Sequence, residues 1–596
     1  MNTHRVTLTA LFIFLVMGSS GFVQAEQSQL LIYQNILEPL QKQFPLPDFQ
    51  SGARRVETPQ RKHLILIDAP GELDKEDTEY RLTRNVIANG TAFRVKAHRV
   101  TLNLNGHTVI YNEKSVGNGV FVDKWWAEDV AILNGTLAQG AAKNSGGYHS
   151  NETSPIRTLH CRRLTVAGLT IRYSGPDMVG LFIDGCSGAH IHDNTIIDEG
   201  NVVTNRHQGV DVIRVVGDNA KIHNNMISRA RHIGIRSGSD AEVFYNEVHI
   251  DSSVTNSTGI STASGTVHHN KIYGQGVHPI GIWPGNNIKV YSNYIRVQST
   301  KPGDEYGSTG AACLRLMWGS NTNVEVYGNT MILVAEEDYR GSKFNSWGRC
   351  VWVGVPDPKQ QVKFHDNLII AFNTDGKAKA AAVAICGNDK NVAFNNLEFR
   401  SNVIVSNWTN LLLADSYGSA GGYSRFVGNR FVRLGDSKTY RTVRSQYSSI
   451  PSTALLIDNI FENGASLKLL DMELSGVATK ELAIGWSLEV KVVRSQRPVK
   501  HVDVTLFNKY GDKVTTVKTD ESGVAVFEVV TELITNGINS AYLVKPVVDL
   551  FKSTERQELN PHRVLVSDNG ETFERIIMVT SPTTIVFDLS GPVVQL

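Results

Sequence analysis

Four residues have the types and spacing for proton-transfer chemistry: His207, Asp211, His232 and Arg236. His207 and His232 stand two positions before glycines 209 and 234, and Asp211 and Arg236 stand two positions after them. An imidazole titrates near neutrality, so it can take a proton from carbon or pass one to a leaving oxygen. A guanidinium grips a carboxylate or sulfate bidentately, and a carboxylate can orient an imidazole or help hold Ca2+. His278, Trp283, Arg315, Trp318 and Trp352 would extend the same face, with Arg206, Arg231, Trp347 and Arg349 nearby in the chain. Trp stacks on apolar sugar faces and Arg pairs with anionic groups, so the set suits an acidic polysaccharide. A plainer reading stands beside this one: Arg236 and Asp211 pair with each other across one rung, and single His residues are bystanders.

Positioning such residues requires a repeating scaffold, and one is visible. A glycine followed by alternating apolar residues recurs at Gly180-Leu181-Phe182-Ile183, Gly209-Val210-Asp211-Val212, Gly234-Ile235-Arg236, Gly259-Ile260-Ser261 and Gly281-Ile282-Trp283. Period-two alternation predicts strands with Leu181, Val210, Ile235, Ile260 and Ile282 inward and the next residue outward. A second phrase carries an Asn, at 194, 225, 246, 270, 293, 329, 367, 402, 429 and 459. Its intervals of 21 to 38 residues suit a fixed rung with loops of varied length. Short strands repeated this way bury their apolar face only by stacking, as coils of a parallel β-helix. About a dozen coils at ~4.8 Å give a rod near ~60 Å. Each Asn amide can then bond to the Asn above and below, a structural role, and His192, His223, His269 and His365 within these phrases read as structural too.

The entry segments Tyr80-Arg81-Leu82-Thr83-Arg84-Asn85-Val86, Gly90-Thr91-Ala92-Phe93, Val100–Val109 and Ile132-Leu133-Asn134-Gly135-Thr136-Leu137 resemble the first coils of secreted right-handed β-helix proteins of the pectate-lyase-like superfamily. The resemblance covers residues 63 to about 465. It implies an all-β, right-handed parallel β-helix and leaves the reaction open, because that superfamily holds lyases, hydrolases, epimerases and non-enzymatic spikes. After Asn463 the Asn phrases stop. Strand patterns at 488–493, 502–506 and 524–527, and a last one near 584–587, predict a small antiparallel sandwich. The turn from Thr519-Asp520 to Gly523 resembles carboxypeptidase-regulatory-like, transthyretin-type modules. A cap on the solenoid end is the simpler role for it; surface or carbohydrate binding is the other.

Composition sets the outer limits. The chain has 596 residues, 59 Lys+Arg against 58 Asp+Glu, and 20% charged residues. That excludes a basic nucleic-acid surface and a highly charged disordered chain. Arg5, an apolar run from Ala10 to Met17 and the ending Val23-Gln24-Ala25 have the layout of a secretory signal, and no later segment is long enough to span a membrane. The domains expected are a signal peptide 1–25, a lead-in segment 26–62, a β-helix 63–470 and a sandwich 485–596, in an exported monomer. Of five cysteines, Cys161 and Cys186 are one coil apart and can stack or bridge, while Cys313, Cys350 and Cys386 read as buried hydrophobes. Neither a Cys-x-x-Cys pair nor a His-rich zinc spacing is present, so no structural zinc is expected.

Three functions compete. A polysaccharide lyase would abstract the proton α to a uronic-acid carboxylate, with Arg236 or Arg315 on the carboxylate, His207 or His232 as base, and Asp211 orienting a His or holding Ca2+. A glycoside hydrolase needs two carboxylates, and only Asp211, with Asp184 a coil away, is on offer. The adjacent-Asp and Gly-His-Gly signatures of the polygalacturonase branch and the Asp-Pro-His-Asp motif of the alginate epimerase branch are absent. A non-catalytic carbohydrate-binding protein would keep the Trp and Arg residues and need no base.

Overall fold

The computed structural model describes residues 22–142, 154–175, 178–200, 211–252, 257–276, 278–299, 311–316, 322–335, 347–354, 361–374, 376, 378–386, 397–415, 424–447, 449–472, 478–536 and 556–590. The chain forms two compact units, Met1–Pro45 and Leu46–Leu596. In the first, a helix runs over Phe22–Gln43, so it begins ahead of the expected cleavage point after Ala25.

The second unit is a parallel β-helix continued by a β-sandwich. One rung shows the path of the chain: Leu181–Asp184, His190–His192 and Thr195–Asp198, each hydrogen-bonded in parallel to its counterpart in the next rung, Asp211–Val215, Lys221–His223 and Met226–Ala230. The first strand of each rung joins a ladder of fifteen parallel strands, more than the dozen coils expected; it is called the site sheet below. The other two ladders meet at a corner. Near the N-terminal end the strands Ala131–Gln139 and Thr165–Tyr173 continue through that corner and join both ladders into one sheet.

The interior is filled by in-register stacks of like side chains. Ile191, Ile222, Val243, Val267, Val290 and Val326 follow one another rung by rung, and Phe364, Phe399 and Phe426 continue the column as stacked rings 4.5 and 4.9 Å apart. All are fully buried. β-Branched residues suit a pleated buried surface, and identical neighbours above and below pack without voids.

The corner is where the Asn phrases lie. Asn194 donates to the side-chain oxygen of Asn225 at 2.9 Å, and the same amide link repeats through Asn246, Asn270, Asn293, Asn329, Asn367, Asn402 and Asn429 to Asn459, at 2.9–3.1 Å. Each side-chain oxygen also accepts the backbone N–H of the previous Asn, and each amide also donates to a strand carbonyl, as Asn293 does to Val267. The residue before each Asn turns the chain with positive φ; Asp193, Asn224, Tyr245 and His269 lie between 52° and 55°. Two residues before the first seven of these Asn residues, on the outside, His192, His223, Phe244, His268, Tyr291, Tyr327 and His365 stack ring on ring, 4.6–5.1 Å apart. That arrangement agrees with a structural role for His192, His223 and His365.

Residues 49–61 form a strap along this corner, crossing the rungs. Phe49 packs on Tyr245, Gly52 N–H donates to the Asn224 carbonyl at 2.9 Å, and Arg54 pairs with Asp193. Val56 makes two hydrogen bonds with the Asn134 side chain, and Arg61 reaches the Asp129 carbonyl at 2.6 Å.

At the far end one strand, Lys480–Arg494, belongs to both parts. Its first half is the last rung, parallel to Ser452–Ile457; the strand pairs antiparallel with Val524–Thr535 from Glu481 to Lys491, and its second half opens the sandwich. Thr583–Asp588 pairs with it in parallel, so this sheet is mixed rather than purely antiparallel as expected. A four-stranded antiparallel sheet of Asp503–Phe507, Lys513–Lys518, His562–Asp568 and Glu571–Ile577 faces it across a shared core including Leu488, Val490, Leu506, Phe527 and Val566. Cys161 and Cys186 are disulfide-bonded across neighbouring rungs, Cα 4.4 Å apart, while Cys313, Cys350 and Cys386 are free and buried.

Removing one amide from the middle of the corner ladder orphans buried groups on both sides, at about 1–3 kcal/mol per unpaired group. Asn293→Ala is therefore expected to cost about 2–4 kcal/mol in urea denaturation. Asn459→Ala, at the ladder's end, should cost measurably less; equal losses would show that the links do not act as a chain.

Candidate functional site

The outward line of the site sheet is set by register. Arg94, Phe121, Arg157, Phe182, Arg214 and Arg236 lie on successive rungs, followed after Ser261 by Trp283, Arg315 and Trp352. Guanidiniums and rings thus alternate over much of the face. Arg94 and Arg157 each lie 5.4 Å from the Phe121 ring, and Arg214 lies 5.5 Å from Phe182. Arg315 is sandwiched between Trp283 and Trp352, 4.8 Å from each ring, and Arg349 lies 4.4 Å from the Trp352 ring. Stacking on a ring holds a cation without consuming its hydrogen-bond donors.

One expected position is corrected. Asp211 does not share the line of Phe182 and Arg236; Arg214 does, and Asp211 sits three positions earlier, opposite Ile233. The register puts Val212 in line with Gly180 and Gly234; Gly209 and Val210 lie outside the described residues. Asp211 is nevertheless central. Its fully buried carboxylate lies 2.8 Å from Arg236 Nε, with a 3.3 Å hydrogen bond from a terminal nitrogen of Arg236, and 3.9 Å from Arg214 Nε. The pairing of Arg236 with Asp211 is thus present, with Arg214 as a third member that the sequence reading missed.

His232 adjoins this cluster and is nearly buried, at 7% exposure. Burial brings its imidazole down to about 4, against the upward pull of Asp211, and Arg236 lowers it further. Among the described residues its Nδ1 has no hydrogen-bond partner. His278 is fully buried; burial first, then Arg315 and Arg349, bring it to about 3. Arg315 is likewise shielded from solvent, and burial with Arg349 beside it lowers it to about 9, still a cation at neutral pH.

The remaining candidates divide. Trp283 is partly exposed, with Arg315 against its ring. Trp352 points outward from its strand yet is only 1% exposed, packed among Ala312, Ala381, Ala384, Cys386, Trp408 and Leu412. Arg349 is held bidentately by Asp415, with one bond of 2.8 Å, and Arg231 is buried against Asp198 at 2.6 Å; both are structural ion pairs. His207, Arg206 and Trp318 lie outside the described residues, as does the side chain of Trp347.

No protein-family model matches this chain, and no curated protein does. Among solved structures it is similar to a mannuronic-acid-specific polysaccharide family 6 lyase from human gut microbiota, with a TM-score of 0.30 and 10% identity over 70% of this chain and 85% of that one. It is also similar to the tailspike protein of E. coli bacteriophage HK620 in complex with a pentasaccharide, with a TM-score of 0.35 and 12% identity over 87% and 86%. Likeness this loose transfers nothing to the present site.

The buried imidazoles make stability pH-dependent. His232 and His278 titrate near 4 and 3 in the fold, against an ordinary value of 6.5. Above pH 6.5 both states are neutral and nothing changes. Below it the unfolded chain binds protons that the fold refuses, so stability falls as pH falls, by about 1.4 kcal/mol per pH unit per imidazole. Urea denaturation between pH 6.5 and 4 should show this slope, and His278→Gln should make it shallower. An unchanged slope in the variant would mean that His278 is not held neutral.

Proposed function

We propose that the arginine-lined face of the site sheet binds an extended acidic polysaccharide and cleaves a uronic-acid polymer by β-elimination. The observation that supports it is the rung-by-rung alternation of guanidiniums with aromatic rings, with a neutral imidazole beside its centre. A polymer carrying a carboxylate on each sugar matches a linear array of cations, and rings between them receive the apolar sugar faces.

In this reading Arg236 neutralises the uronic carboxylate, which acidifies the adjacent C5 proton. His232 takes that proton, the C5–H electron pair forms the C4–C5 double bond, the bond from C4 to the glycosidic oxygen breaks, and the departing oxygen takes a proton from solvent. An imidazole near 4 is a weak base in the empty site, and an incoming carboxylate raises its basicity. Asp211 keeps Arg214 and Arg236 in place, its charge already committed to both. Ca2+ does not fit beside it: a cation would face two guanidiniums, and among the described residues no group of three carboxylates gathers on this face. The same commitment of Asp211 weakens the hydrolytic reading, which would need it as one of two free carboxylates. Export is supported by the N-terminal sequence and by the Cys161–Cys186 disulfide, since such bonds persist in oxidising compartments. No helix among the described residues is long and apolar enough to cross a membrane.

A second reading, binding without cleavage, is favoured by the burial of His232, Arg315 and Trp352. Ultraviolet absorbance of the unsaturated uronic product, followed across a panel of acidic polysaccharides, separates the two. One polymer should give a rise, and His232→Gln should slow it about 10²–10⁴-fold while retardation in polysaccharide-containing gels persists. Retardation without any rise would establish the binding protein, and new reducing ends without absorbance would establish hydrolysis.

A further inference from the structure

Away from the arginine-lined face, three imidazoles converge on the outside of the corner. His190 and His192 point to the same side of one strand, and His223 stands opposite His192 on the next rung. The Nε2 atoms of His190 and His223 are 2.7 Å apart, and the rings of His192 and His223 stack at 5.0 Å. One nitrogen from each of the three lies within 4.8 Å of the other two, and among the described residues this is the one such group of three or more ligating side chains.

Their surroundings decide which nitrogens face inward. His192 Nδ1 is 2.7 Å from the Asp193 carboxylate, and His223 Nδ1 is 2.7 Å from the Asn224 side-chain oxygen. Each Nδ1 is therefore the protonated nitrogen, which leaves Nε2 with a bare lone pair. Metal-ligating imidazoles are tied in the same way, one ring N–H held by an oxygen acceptor. The strap fixes those acceptors in turn: Arg54 pairs with Asp193, and Asn224 donates to the Gln50 carbonyl at 3.2 Å. All three rings are partly exposed, so water can complete a coordination sphere.

We propose that His190, His192 and His223 bind a transition-metal ion of the Zn2+ type, with water in the fourth position. Imidazole donors select Zn2+, Cu2+ or Ni2+ over Ca2+. Arms of about 2.0–2.1 Å at tetrahedral angles place ligating nitrogens about 3.3 Å apart, so the His190–His223 pair opens by about 0.6 Å to admit the ion. Without metal, the same two rings share a hydrogen bond. The bound ion pins two rungs together where the strap crosses them. The sequence reading expected no structural zinc because the ligands are not close in the chain: His190 and His223 are 33 residues apart and only stacking joins them.

The test titrates the chelator-treated full chain with Co2+ and then Zn2+. One Co2+ per chain should give the visible absorption of a four-coordinate site, and Zn2+ should displace it. His192→Ala and His223→Gln should each abolish the signal, and Asp193→Ala should weaken Zn2+ binding about 10–100-fold. His365→Ala, at the far end of the same ring stack, should bind like the parent. His192→Ala also removes a stacked ring, so the reading is the metal effect: Zn2+ should raise the urea midpoint of the parent and leave that of His192→Ala unchanged. A parent that takes up neither ion at micromolar concentration, or ligand variants that still bind, would overturn the proposal.

Discussion

The amide ladder at the corner is the constraint on which the rest depends. From Asn194 to Asn459 the rungs place an Asn at the same corner, preceded by a residue with left-handed backbone, because the side chain both closes its own turn and satisfies the turn of its neighbour. The fixed corner is compatible with very unequal rungs: successive ladder residues are 21 apart at the shortest and 38 at the longest. Length variation is pushed into the segments flanking the site sheet, while the corner, the inward columns and the outer ring stack keep strict register.

That division of labour explains the contrast between the two outer surfaces. At the corner, rings stack on rings and polar groups are spent on structure. On the site sheet, the same one-rung spacing brings guanidiniums close together, and the fold must offset their repulsion. It does so by interleaving aromatic rings, by anchoring Asp211 between Arg214 and Arg236, and by tying Arg349 to Asp415.

Much of this was legible in the chain, for physical reasons that can be named. The ten Asn positions and the inward columns could be read because stacking imposes period two along a strand and a recurring turn at each rung. The outward placement of Arg236, Trp283, Arg315 and Trp352 followed from the same alternation. Arg214 was missed, and Asp211 put in its line, because the marker glycine in the sequence, 209, stands three positions ahead of Val212, the residue that the register aligns with Gly180 and Gly234. Burial of Trp352 could not be read at all, since the side chains that cover it come from other rungs. The strap left no periodic trace: its side chains bond individually to corner residues and form no apolar stripe of their own.

The strap also dictates an order of assembly. It is made before every rung it touches, yet Gln50 meets Asn224 174 positions later and Ala53 meets Thr195 142 positions later. A chain that coiled up strictly as it emerged from the ribosome or an export channel would build several rungs while residues 49–61 hung unpaired beside them. The strap can only fasten after the rung bearing Tyr245 is in place. Its last contacts therefore form late, as a latch that reports completion of the N-terminal half, and its own sequence can tolerate waiting because it is mostly polar, with Phe49 and Val56 its few apolar anchors.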